Sequence, residues 1–127
     1  MKLIPQGHIE KDWGLEIIWS NNDHYCGKLL MFNGVGKQTA MMIHKNKKKS
    51  YFVNAGRFKI TFIDVKTGNT KEALLDEGKT VDIAEMSPHR IESLLPDSII
   101  IEVGTSAYEE DEFKLTPDAD QTQSLGQ

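Results

Sequence analysis

One cysteine in 127 residues, Cys26, leaves nothing for an internal disulfide to join. That excludes the cross-linked scaffold on which small secreted domains rely, and a reducing compartment, the cytoplasm, is the expected location. Long apolar runs are missing too. No stretch approaches the roughly 20 apolar residues of a membrane-spanning helix, and the short apolar stretch in "MKLIPQGHIEKDWG" is broken by Pro5, unlike the h-region of a signal peptide. No membrane partner is expected. Positive charge is also scarce: fifteen basic against nineteen acidic residues give a net charge of −4. Nucleic-acid binding is dominated by clustered cations, so no nucleic-acid partner is expected and any basic patch must be local.

What the chain does have is a succession of short apolar runs bounded by Gly, Asn, Asp and Pro, with little helical periodicity. The runs begin near Leu15, Tyr25, Gln38, Ser50, Phe58, Lys71, Thr80, His89 and Ser98. In "FKITFIDVKTGNTKEALL", Phe58, Ile60 and Phe62 alternate with Lys59 and Thr61 before a turn at Thr67, Gly68 and Asn69, which predicts a hairpin with one wet face. Many short strands without crossover helices predict an all-β domain, a sandwich, barrel or jelly roll, over residues 1–115. The polar segment 116–127, "PDADQTQSLGQ" and the threonine before it, holds almost nothing to bury and is expected to stay unpacked.

Two stretches share a spacing with a known family. Gly36, position 42, His44, position 49 and Gly56 in "GKQTAMMIHKNKKKSYFVNAG", then Gly78 and His89 in "GKTVDIAEMSPHRIES", resemble the two motifs of the cupin superfamily. The lead-in "EKDWGLEIIW" and "GKLLMFNGVG" is similar to that of the type II mannose-6-phosphate isomerase branch. The resemblance covers Ile9 to Gly104 and implies a single antiparallel β-barrel or jelly roll. In the family, two histidines and a glutamate of the first motif and a histidine of the second hold one divalent metal. Here Met42 replaces the first histidine and Lys49 the glutamate, while Ala84, Met86 and Ser93 replace the second motif's proline, glycine and asparagine.

Strand parity puts Met42 with His44 on one face, and Lys49 with Tyr51 and Val53 on another; the barrel frame implied by the resemblance aims both sets, with His89 and Ile91, inward. His44 and His89 are the candidate metal ligands. Two imidazoles fall short of the three or four protein ligands of a closed site, the Met42 thioether suits Cu(I), and an ammonium must lose its proton before it can coordinate. The expectation is one weakly bound divalent ion (Zn, Mn, Fe or Ni) or none. Lys49, Tyr51, Met42 and Arg90 are the candidate ligand-binding residues. Met42 also reads as core filler, and His8 and His24 as surface residues. The loop "HKNKKKS", with Lys45 and Lys47 to Lys49, is either solvated or an anion rim, and the acidic run "YEEDE" from Tyr108 to Glu112 could neutralise it.

By resemblance, then, the chain is a cupin domain similar to sugar-phosphate isomerases, binding a small anionic sugar-type ligand. Glu102, Glu92 or a histidine would be the base of an isomerase. The alternative is a non-catalytic, metal-free cupin that binds a small molecule or serves as a structural dimerisation module. A homodimer is expected because Trp13, Ile17, Ile18 and Trp19 give the N-terminal strands more apolar surface than a monomer covers, unless both tryptophans cap the core.

Overall fold

The computed structural model describes residues 1–115; the expected polar tail lies outside the described residues. Eleven strands make up the chain in order: β1 (Gly7–Lys11), β2 (Gly14–Asn21), β3 (Cys26–Phe32), β4 (Met42–His44), β5 (Lys49–Ala55), β6 (Arg57–Ile63), β7 (Thr70–Asp76), β8 (Thr80–Ile83), β9 (His89–Ser93), β10 (Ile99–Gly104) and β11 (Glu112–Lys114). A single 3₁₀ turn, Glu109–Asp111, precedes the last strand, and no α-helix occurs among the described residues. A six-stranded sheet runs β1-β2-β3-β10-β5-β8 and a five-stranded sheet β11-β4-β9-β6-β7, every pairing antiparallel. The all-β expectation holds.

Alternation builds the core. On β5, Lys49, Tyr51 and Val53 are buried while Phe52 and Asn54 face out; on β10, Ile100 and Glu102 face in. Trp13 stacks on Phe32, ring centroids 4.5 Å apart, and Phe32 meets Phe58 edge-on at 5.0 Å. With Leu30, Val53, Ile60, Ile91 and Ile100 these rings close one end of the space between the sheets. The hairpin of β6 and β7 departs from the wet-face expectation at Thr61, which is buried. In register it lies between Arg90 of β9 and Glu72 of β7, so it sits mid-sheet instead of at an edge.

The motif glycines have a conformational reason. Gly36, Gly56 and Gly78 all adopt left-handed backbone, with φ of +78°, +82° and +87°, where a Cβ is strained. At Gly56 a Cβ would also run into the Ser98 hydroxyl. Met86, where the resembled motif has glycine, holds φ of +60° with its side chain in place.

Candidate functional site

The site lies inside the barrel beside that core, with Trp13 and Leu30 in its wall, where the inward parity of five strands meets. His44 ends β4, Lys49 and Tyr51 lie on β5, His89 starts β9, Lys28 is on β3 and Glu102 on β10. Register fixes the centre: Glu102 pairs with Lys28 on one side and Tyr51 on the other. These groups, with Met42 of β4, line one cavity of about 40 Å³ whose mouth carries Lys11, Glu16, Glu112 and Lys114. The structure thus brings Met42, His44, Lys49, Tyr51 and His89 together, as strand parity within the barrel frame implied by the resemblance predicts. Arg90 is not among them, because it alternates with His89 and Ile91 and lies on the outer face of β9. Glu92, on that same face, pairs with Lys59 at 3.6 Å, whereas Glu102 is inside.

Glu102 is the hub of the charges. Its carboxylate faces Lys47 Nζ at 3.2 Å, Lys49 Nζ at 3.6 Å and Lys28 Nζ at 4.0 Å. Lys28 reaches further carboxylates, Glu112 at 3.7 Å and Glu16 at 3.9 Å. Burial alone would raise the Glu102 pKa, but the three ammonium groups hold it well below the usual carboxylate range. Lys28 is shifted the opposite way to its own burial penalty, upward, by Glu102, Glu16 and Glu112. For Lys49 burial wins over the attraction of Glu102, and its pKa falls. The Tyr51 phenol is pushed well up, by burial first and then by Glu102; Lys49 Nζ stands 5.1 Å from its ring centroid.

Both histidines are neutral. Burial and the neighbouring Lys49 charge push His44 down to about 2 and His89 to about 3. His89 Nδ1 is 2.9 Å from the Ser87 carbonyl, so it carries the proton and leaves Nε2 as an acceptor. His44 Nε2 lies 3.3 Å from Lys49 Nζ and accepts from it.

That last contact decides whether a metal fits. The nitrogen of His44 that would bind an ion is engaged by an ammonium, the two imidazole centroids are 6.0 Å apart, and no group of three or more His, Cys, Asp or Glu capable of holding an ion occurs among the described residues. A divalent cation would also have to displace Lys49 from beside Glu102. These residues do not fit the metal that the resemblance implies.

The lysine loop splits between its two expected readings. Lys45 and Lys48 are exposed, while Lys47 and Lys49 are buried against Glu102. The acidic run does meet this loop, through the backbone: Asp111 accepts the N–H groups of Lys45 and Asn46, both at 2.9 Å, and β11 pairs with β4. Lys28, Lys47 and Glu112 escape a sequence reading that follows motifs alone. For Lys28 the signal was parity, since it falls on the inward side of β3 with Leu30 and Phe32; Lys47, in the loop before β5, and Glu112 carry no such signal.

No family model and no curated protein matches this sequence. Solved structures do. CapF bound to the inhibitor 3-isopropenyl-tropolone is 20% identical with a TM-score of 0.77, over 88% of this chain and 34% of that one. The capsular polysaccharide assembling protein CapF from Staphylococcus aureus is 18% identical, TM-score 0.75, over 89% and 32%. Oxalate decarboxylase from Bacillus subtilis is 15% identical, TM-score 0.76, over 99% and 36%. The chain therefore spans about a third of the length of each of these structures. At such identities the likeness is one of shape, and the shape is the cupin-type barrel of two packed antiparallel sheets.

Proposed function

We propose that this barrel binds a small anionic sugar-type ligand, such as a sugar phosphate, and that it does so without a metal. The observation that carries the reading is the lining of the cavity, four lysines (Lys11, Lys28, Lys49, Lys114) against three glutamates (Glu16, Glu102, Glu112). Lys28 and Lys49 are matched by internal carboxylates, whereas Lys11 and Lys114 at the mouth make no ion pair among the described residues. The anionic group belongs at those two. The roughly 40 Å³ inside holds only one or two hydroxyl-sized groups, and the acceptor His89 Nε2, the Tyr51 phenol and Glu102 suit hydroxyls better than a phosphate.

Isomerisation, the activity of the resembled branch, is the less favoured reading. It needs a metal to polarise the substrate oxygens, which these residues do not fit, and a base free to take a proton; Glu102 is committed to three lysines, Glu92 faces outward and His44 Nε2 is engaged by Lys49, which leaves His89 alone. The neighbours, a capsular polysaccharide assembling protein and an oxalate decarboxylase, do not select the ligand.

Titration calorimetry with D-mannose 6-phosphate, D-mannose and inorganic phosphate tests the proposal. The sugar phosphate should bind more tightly than either fragment and weaken with added salt. A Lys11→Ala, Lys114→Ala variant should lose roughly tenfold in affinity, as two rim charges at up to about 1 kcal/mol each imply. Equal, salt-independent affinity for mannose and its phosphate would overturn it, as would no binding of the phosphate at millimolar concentration.

A further inference from the structure

Among the three lysines around Glu102, Lys49 is the one whose nearest partner is not a carboxylate. Lys47 takes the nearest approach to that carboxylate, 3.2 Å against 3.6 Å for Lys49. Lys28 adds Glu112 and Glu16. What Lys49 has as its closest partner is a lone pair, His44 Nε2 at 3.3 Å. Lys49 also lines the cavity, which Lys47 does not, so a ligand that enters can reach its nitrogen. A buried amine beside a neutral imidazole, in a pocket with room for one functional group, is an arrangement for covalent chemistry with a carbonyl.

We propose that Lys49 is an imine-forming residue, condensing reversibly with the carbonyl carbon of a small aldehyde or ketone that carries an anionic group. For its ligand class the inference rests on the reading above, since open-chain sugar phosphates present such a carbonyl. The Lys49 ammonium first gives up one proton to solvent; the lone pair so freed attacks the carbonyl carbon and the C=O π pair moves to oxygen. His44 Nε2, within reach, takes the proton that the nitrogen sheds and delivers it to that oxygen, giving the carbinolamine. The hydroxyl then leaves as water, taking the remaining N–H proton, as the nitrogen electron pair forms the C=N bond of the imine; no oxidant or reductant is consumed. Tyr51 and His89 bound the space the carbonyl substituents occupy.

Borohydride trapping with peptide mapping by mass spectrometry tests this on the intact protein, with D-glyceraldehyde 3-phosphate as the probe. The reduced adduct should form on Lys49 at least tenfold faster than on the exposed Lys45 and Lys48, and should vanish from that peptide in Lys49→Arg. His44→Gln should slow adduct formation at Lys49 and leave that at Lys45 unchanged. Adduct spread evenly over exposed lysines with Lys49 unmodified in the wild-type protein overturns the proposal, and that result needs no variant to fold. Calorimetry with the same probe separates the two readings. Salt-sensitive binding without an adduct removes the imine and leaves the anion site, whereas no binding and no adduct removes both.

Discussion

His44 and His89 are held neutral in a wall that also carries ammonium groups, and that state ties stability to pH. In the unfolded chain each would titrate near 6.5; in the folded protein neither takes a proton until about 2 and 3. Above pH 7 both states leave the rings neutral, so no stability hangs on them there. Below 6.5 the unfolded chain binds up to two more protons than the folded one, and stability falls as pH falls, by about 1.4 kcal/mol per pH unit for each histidine. Glu102, with its depressed pKa, adds a further loss once the pH drops through the ordinary carboxylate range. Urea midpoints measured between pH 7.5 and about 5 should therefore decline, and a His44→Gln, His89→Gln variant should show a much flatter profile over that interval. A wild-type midpoint constant across it would refute the buried neutral pair. At this scale the sequence named the two histidines, Lys49, Tyr51 and Met42 correctly as neighbours, because parity, a local property, sorted each strand and the barrel frame implied by the resemblance aimed the sorted faces at one another. It did not show Glu102 as the common partner of three lysines, since that follows from cross-strand register.

Nine of the eleven strands were legible as apolar runs between turn residues. β1 and β11 were not. β1, "GHIEK", is a polar edge strand paired only with β2, and β11 is three residues inside an acidic run, paired only with β4; neither needs an apolar pattern, because neither has two neighbours to bury it. Turns were legible where glycine marks them and illegible at the β8–β9 connection, where Met86 occupies left-handed backbone at φ +60°. The turn is retained by other means: Met86 N–H donates to the His44 carbonyl at 2.7 Å, which ties the connection to the strand carrying the site. An L-residue in this conformation costs about 1–2 kcal/mol, of which glycine would return part to the entropy of the unfolded chain. Met86→Gly should accordingly stabilise the protein, by about 0.5–1 kcal/mol in chemical denaturation. A destabilised Met86→Gly protein would mean that the exposed methionine side chain makes contacts worth more than the strain.

At the scale of the whole molecule, the described residues form an apolar face that the core does not use. Across the outside of the six-stranded sheet, Ile17 of β2 lies opposite Leu29 of β3, Leu29 opposite Ile101 of β10, and Ile101 opposite Phe52 of β5, an in-register row across four strands. Leu15, Met31 and Ile99 form a second row beside it. Trp19 extends the face over Gly27, where any side chain would collide with the indole; it is 51% exposed, unlike Trp13, which is 4% exposed and caps the core. The expected source of apolar surface is therefore correct for Trp19 and Ile17, and not for Trp13 or Ile18, both buried. Uncharged rows of this kind on an antiparallel sheet are self-complementary under a two-fold axis, since each row can pack on its own copy at the ~10 Å spacing of stacked sheets. A monomer rarely exposes so continuous a patch, and we propose that a second copy of this chain covers it. Light scattering at micromolar concentration should give twice the monomer mass of 14.3 kDa. A Leu29→Lys, Ile101→Glu variant sets opposite charges across from each other within one chain, but a two-fold partner must then bury both pairs. It should be monomeric, with the barrel intact by circular dichroism and its sugar-phosphate affinity unchanged, because the cavity opens on the inner face. A wild-type protein that stays monomeric to high concentration would refute the dimer, and the apolar face would then have to be covered by something other than itself.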